Sequence, residues 1–410
     1  MSEVSILFIL LAIYGLYELL ELVLALLNEY HRRKGIPQAL ADLLQGNDPE
    51  RYEDYQRSKF RFGMLERLVV NVLFLSFLAL GGLGFLAVFC DSISSHPISS
   101  TLIFLAIIWF LSELVSTPLE WYSTFVLEEK FGFNTTTRST FISDWVKSGL
   151  MTLVLGGLLI GTLLWLIFRI GPSFWWYFWI VSTAFLLLVQ LYYTSIVLPL
   201  FNTLNPLPSG ALRDAIEAYC KKVSFPLNNL YVMDGSKRTK KANAFFSGIG
   251  RKKKIVLYDT LVDHYSVEEI VSVLAHEVGH YRKKHVLIGF LNQILMTGFV
   301  LWLLSKWIYL EPISMAFGYT GIHAGINLIT FTLAYIPLGF VFHILMNFLS
   351  RRHEFQADAF ARDTSDSKAL VSALKKLHSD SLSNLNPHPW TVWMHYSHPP
   401  LLARIQALTT

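Results

Sequence analysis

His276, Glu277 and His280, in the run His276-Glu277-Val278-Gly279-His280, are the residues of this sequence best suited to chemistry. Two histidines four positions apart stack on one face of a helix, where both imidazoles can bind a single Zn²⁺, an ion that takes nitrogen and carboxylate ligands in a tetrahedral set. Glu277 then stands beside the ion rather than on it. From there a carboxylate can take a proton from a metal-polarised water and return it to a leaving amine, which is the chemistry of peptide-bond hydrolysis. The helix is itself readable. Ser266 followed by Glu269 forms a capping box, and Ile270, Val273 and Leu274 carry a helical apolar period through to His280.

A catalytic zinc site of this kind needs a third protein ligand and an open fourth position. Glu354 is the candidate, in Arg351-Arg352-His353-Glu354-Phe355-Gln356-Ala357-Asp358. The two apolar segments between the motifs form a hairpin that returns the chain to the side of the first. Asp358, four residues after Glu354, shares its helical face and is placed to orient a ligating imidazole as a hydrogen-bond acceptor. His353 points elsewhere on that helix and is read as a bystander.

The elements that must position these residues are mostly membrane helices. Of 410 residues, 53% are hydrophobic and only 16% charged, against about 25% charged in soluble globular proteins. Apolar runs read as spans are Val4–Leu27, Leu65–Phe89, Leu102–Val115, Ser148–Phe168, Phe174–Leu200, Val286–Tyr309 and Leu328–Leu349, the third being short of a bilayer unless it extends upstream. The first runs on too far for a cleavable signal and is read as a retained span. The loop from Glu29 to Met64 holds Arg32, Arg33, Lys34, Arg51, Arg57, Lys59 and Arg61, whereas Asp91 to Ser100 has no Lys or Arg. By the positive-inside rule the N-terminus lies outside, and the 201–285 segment and the C-terminus lie in the cytosol. The net charge of +4 is read as attraction to anionic lipid headgroups, with no nucleic-acid partner. Cys90 and Cys220 are isolated and indicate neither a disulfide framework nor a thiolate metal site.

Polar residues inside the spans, Glu18, Glu21, Glu113 and His343, are expected to face a polar interior or another span. Four regions follow: 1–200 with five spans, 201–285 with the metal-motif helix, 286–349 with two spans, and 350–410 with the third ligand. In the second region Leu230–Met233, Asn243–Ser247 and Lys254–Tyr258 read as strands, framed by Asp234-Gly235 and a Gly248–Gly250 turn. The basic runs Lys237–Lys241 and Arg251–Lys254 are read as solvated or lipid-facing. The fold class is therefore mainly α, polytopic, with about seven membrane helices and a small α/β metalloprotease domain.

Beyond the metal motifs, the chain carries Glu128-Glu129-Lys130-Phe131-Gly132-Phe133-Asn134, Asn243-Ala244-Phe245-Phe246-Ser247-Gly248 and Tyr396-Ser397-His398-Pro399-Pro400. With these it resembles, over nearly its whole length, the integral-membrane zinc metalloproteases called type I CAAX prenyl proteases. The resemblance implies one zinc ion per chain and seven spans around a large water-filled chamber. It implies that Asn243, Ala244 and Phe245 lie on an edge strand that pairs with an extended substrate. His398 and Arg404 would also line the site, with His398 suited to donate to a tetrahedral oxyanion and Arg404 to contact substrate. The implied partners are a polypeptide substrate, prenylated or not, and membrane lipids.

The chain ends without a retrieval signal and is shorter than typical eukaryotic relatives, which points to a bacterial inner membrane, with the endoplasmic reticulum as the alternative. For a bacterial member the expected task is cleavage of membrane-associated or damaged polypeptides, with CAAX processing as a retained capability. Two other readings stand against this one. A seven-span transporter or receptor with a structural zinc site would explain the spans but not the ligand spacing. A heat-shock-type membrane protease shares the zinc motif but has fewer spans.

Overall fold

The computed structural model describes residues 3–44, 48–227, 229–247 and 254–410. Its membrane part begins with α1 (Glu3–Arg32), α2 (Pro49–Ala79), α3 (Gly82–Ile93) and α4 (Pro97–Tyr122). The expected second span, Leu65–Phe89, is two helices rather than one. The break falls at Gly81, whose φ of +74° is open to glycine but strained for side-chain-bearing residues. Just beyond it, a Cβ on Gly84 would sit 2.2 Å from the Phe317 carbonyl oxygen, so α3 can approach the loop after α13 (Glu311–Ala316) only through a glycine. The expected third span was too short. Pro97 starts α4 at a position where its missing N–H is harmless, and the helix continues past Pro118 into a π-helical stretch, Ser123–Glu128.

A further helical stretch, Arg138–Phe201, comprises α5 (Arg138–Met151), α6 (Gly157–Ile170), α7 (Phe174–Tyr192) and α8 (Leu198–Phe201), with π-helical stretches at Thr152–Gly156 and Tyr193–Val197. Among the described residues six helical stretches are long and apolar enough to cross a membrane, and this one contains two crossings. The chain reverses at Gly171, φ +74°, and α6 packs back on α7. The other two crossings are α12 (His285–Trp307) and α14 (Ala324–Thr364). At 41 residues α14 is about 60 Å long, twice a hydrocarbon core, so its last turns stand clear of the bilayer and carry Glu354 there.

The intramembrane polar residues meet partners on other elements. Asn71 donates to Glu18 at 2.7 Å, Trp145 donates to Glu113 at 3.1 Å, and Glu21 lies 3.2 Å from His395. His343 is the exception: its partner, Asn347 at 2.9 Å, lies one turn along the same helix, α14. Each replaces a hydrogen bond that lipid could not supply.

Outside the membrane lies a four-stranded sheet in the order β1-β2-β4-β3, with β1 (Leu204–Pro206), β2 (Asn229–Met233), β3 (Ala244–Ser247) and β4 (Lys254–Tyr258). β2 and β4 run parallel, and the outer strands pair antiparallel. β1 was not expected, being only three residues long and ending in proline. The turn at Gly248–Gly250 and the basic run from Arg251 to Lys253 lie outside the described residues. Around the sheet pack α9 (Ala211–Lys222), α10 (Asp259–His264), α11 (Val267–Arg282), α15 (Ser367–Asp380) and α17 (Leu401–Thr409), over a core that includes Ile216, Ile255, Leu257, Ile270, Leu274 and Leu370, while α16 (Pro389–His395) lies against α14 and α1.

The Glu128–Asn134 motif ties this layer to the membrane helices. Phe131 and Phe133 are buried, and Glu128 accepts from Tyr55 at 2.7 Å and from Lys241 at 2.8 Å. Lys241 also lies 4.5 Å above the Phe133 ring, and Arg238 is paired with Asp144 at 2.8 Å. Those two basic residues are therefore internal struts, not solvated or lipid-facing charges. Their effect is to place Asn243 and β3 at the foot of the helices.

Candidate active site

The capping box expected at Ser266 is present: Glu269 N–H donates to Ser266 Oγ, and Ser266 N–H donates to Glu269 Oε2. It starts α11 in the register that puts His276 and His280 on one face. α14 crosses α11 closely enough that a Cβ on Gly279 would lie 2.9 Å from the Ala357 Cα. That crossing brings Glu354 against the two histidines.

Ligand atoms of His276, His280 and Glu354 all lie within 4.8 Å of one another. Glu354 Oε2 is 3.4 Å from His276 Nε2, and Oε1 is 3.2 Å from His280 Nε2. Glu354 Oε2 is buried with no hydrogen-bond donor, an orphaned anionic atom aimed at the gap between two ring nitrogens. A divalent cation would satisfy all three groups, and two imidazoles with one carboxylate suit zinc. Burial alone would push the Glu354 pKa up, but the two imidazoles hold its carboxyl well below the usual range.

Asp358 lies behind His276. It accepts from His276 Nδ1 at 2.8 Å and from Arg404 Nε and Nη2 at 2.8 and 2.6 Å. For His276, burial alone would lower the pKa, but hydrogen bonds to Asp358 and Glu354 lift it to about 9. Arg404, on α17, is buried, with its guanidinium engaged by Asp358 and its Nη1 3.6 Å from Glu354. Arg404 thus braces Asp358 and also lines the cavity.

That cavity, of about 130 Å³, gathers most of the expected residues: Asn243, Ala244, His276, Glu277, Glu354 and His398. Its far wall is apolar, from Leu261, Val273, Leu370, Leu374 and Leu377. Burial raises the Glu277 pKa above the ordinary carboxylate value, and the nearby Glu354 charge adds to that shift. His398 sits at the mouth, 63% exposed, with Nε2 3.4 Å from Glu354 Oε1 and Nδ1 2.9 Å from Ser397 Oγ. If Ser397 donates, Nε2 carries the proton and faces the cavity.

β3 forms an edge of the sheet. Asn243 pairs with Tyr258, so the Ala244 backbone groups point to the open side, where its N–H is held by Asn243 Oδ1 at 2.8 Å. Phe245 is oriented differently. It packs with Val256 and Tyr258 on the sheet, and its backbone groups face its β4 partner Val256 rather than the open edge.

Two groups of neighbours went unread in the sequence. Asn347 and Arg351 precede Glu354 and Asp358 at intervals of four, three and four, a single helical stripe that was legible. Arg351 donates to the Val392, Trp393 and Tyr396 carbonyls, and Asn347 to that of Met394, so this stripe grips the end of α16 two residues before His398. His285 adjoins His280 and Gln356 adjoins His285, and no spacing rule marks them.

A family model described as CAAX prenyl protease N-terminal, five membrane helices, matches residues 26–203, and one described as peptidase family M48 matches residues 206–410. The CAAX prenyl protease 1 homolog of Oryza sativa subsp. japonica is 36% identical, over 91% of this chain and 90% of its own. The Homo sapiens homolog is 32% identical over 93% and 90%, and CAAX prenyl protease 1 of Saccharomyces cerevisiae is 33% identical over 91% and 88%. The crystal structure of S. mikatae Ste24p is similar with a TM-score of 0.90 and 29% identity, covering 99% of each chain. These likenesses run through membrane helices and metal motifs alike, and they favour the protease reading over a transporter, a receptor or a heat-shock-type protease.

Proposed function

The chain belongs to the CAAX prenyl proteases of peptidase family M48, membrane-embedded metalloendopeptidases, and from that membership we propose that it cleaves prenylated CAAX-type or other membrane-associated polypeptides at a single zinc ion. The observation that carries the proposal is the convergence of His276, His280 and Glu354 within 4.8 Å, in a cavity that also holds Glu277 and the Ala244 edge. His276, His280 and Glu354 would hold the zinc. When bound, the ion would supply Lewis acidity to a water and to the scissile carbonyl.

The chain's own residues do the rest. Ala244 exchanges the Asn243 side chain for the backbone of an extended substrate, which sets the substrate's register against β3. Glu277, its pKa raised by burial toward the operating pH, takes a proton from the attacking water and delivers it to the leaving amine. His398 Nε2–H donates to the oxyanion as it develops. Asp358 and Arg404 keep His276 in one orientation. The apolar wall from Leu261 to Leu377 suits a hydrophobic substrate side chain beside the cleaved bond. The substrate would reach the site from the chamber between the helices, with the catalytic region in the cytosol.

Glu277→Gln tests this directly. It should retain one zinc per chain while cleavage falls at least about a hundredfold. Cleavage near the wild-type rate would remove Glu277 from its role. Mapping the products of prenylated and unprenylated peptides by mass spectrometry then decides whether the prenyl group is required.

A further inference from the structure

The metal ligand His280 is backed by chemistry unlike that behind His276. Its Nε2 faces the other ligands, 3.1 Å from His276 Nε2 and 3.2 Å from Glu354 Oε1, so with Nε2 on a metal its Nδ1 must carry the proton. That Nδ1 lies 3.1 Å from Nδ1 of His285. To accept there, His285 must be the neutral tautomer protonated at Nε2, and its Nε2 lies 2.9 Å from Gln356 Oε1, an acceptor. Only one assignment satisfies every atom in the chain: His280 Nδ1–H to His285 Nδ1, and His285 Nε2–H to Gln356 Oε1.

The backbone supports the same contact. Lys284, between α11 and α12, has φ of +59°, a left-handed conformation disfavoured for a side-chain-bearing residue. The turn folds His285, first residue of α12, back beneath α11, where it is buried. The His353 ring stacks on it at 3.9 Å and 9°, fixing its plane. One segment of α14 therefore supplies ligand Glu354, the His276 support Asp358, and both groups that hold His285.

We propose that His285, held by Gln356 and His353, is a positioning residue that orients His280 and fixes its metal-binding tautomer. The inference rests on the metal-site reading above. It also assigns a reason for an uncharged support: Glu354 and Glu277 already place carboxylates at the site, and a neutral imidazole–amide pair orients His280 without adding another.

The test is zinc affinity by chelator competition, and the visible absorption of the Co²⁺-loaded form, on the full-length chain in detergent. His285→Leu removes the acceptor and should weaken zinc binding about tenfold or more and shift the Co²⁺ bands. His285→Asn, whose Oδ1 can occupy the position of Nδ1, should restore most of that affinity. Gln356→Leu should weaken binding in the same direction by less, and it serves where His285→Leu folds poorly. Wild-type affinity and an unchanged Co²⁺ spectrum in His285→Leu would overturn the proposal, as would an Asn variant no better than Leu. Glu354→Ala is the parallel control. Its loss of zinc keeps the metal-site reading intact whatever His285 does, and its retention of zinc would bring down that reading itself.

Discussion

Gly279→Ala adds one methyl group where α11 crosses α14, between the two histidines that approach Glu354. The new Cβ would lie 2.9 Å from the Ala357 Cα, 3.0 Å from its carbonyl oxygen and 3.2 Å from the Phe360 Cβ, whereas ordinary contact begins at 3.4 Å. Two of the three obstacles are backbone, so the helices themselves must separate, by about half an ångström. Metal–ligand bonds tolerate only about 0.2 Å of error. Alanine also brings up to about 1 kcal/mol of helix propensity, against an overpacking cost of about 1–3 kcal/mol. The fold should therefore lose at most about 3 kcal/mol while the displaced ligands lose at least tenfold in zinc affinity, about 1.4 kcal/mol. The assay is zinc content after dialysis against graded chelator, with melting temperature and peptide cleavage measured on the same preparation. Wild-type zinc affinity at wild-type Tm would refute the claim that this crossing sets the ligand geometry.

His398→Ala should lower kcat about a hundredfold to a thousandfold with zinc content and KM little changed, because an oxyanion donor acts mainly in the transition state. A variant that melts early but keeps wild-type kcat per zinc would make His398 a structural turn residue. Glu269→Ala should destabilise the chain by about 2 kcal/mol, read as a drop in Tm, since Glu269 closes the α11 capping box and accepts from Ser372 and Lys376 at 2.7 Å each. Burial alone would raise the Glu269 pKa, but these hydrogen bonds hold it below 4.5. Its stabilisation is therefore complete above that pH and lost as pH falls through the folded value, so the wild-type and variant Tm should converge in acid. Ser95→Cys, in the loop between α3 and α4, should be labelled only from the side opposite the catalytic region in oriented vesicles. Labelling from the catalytic side would reverse the proposed topology.

The parts of this protein legible in the sequence are those governed by local rules. The capping box at Ser266, the helical spacing of His276 and His280, and most of the long apolar runs each depend on a few neighbouring residues and appear where the residues predict, the exceptions being the second and third spans. Spacing also nominated Glu354 and Asp358, since a hairpin of two spans can only return the chain to its starting side. Tertiary structure decided which groups meet. Gly279 is small enough for α11 to reach Ala357, and that contact, 78 residues apart in sequence, accompanies the convergence of three nominated side chains within 4.8 Å of one another. Arg404 was nominated as a residue lining the site; it does line the cavity, and its pairing with Asp358, a buried carboxylate for a buried guanidinium, is what the fold adds. The break at Gly81 rests on a left-handed backbone conformation, and the approach of α3 to the Phe317 carbonyl on Gly84, neither of which a hydropathy run records. The His285 contact depends on the left-handed turn at Lys284, a conformation that lysine does not signal and only the packed fold can hold in place.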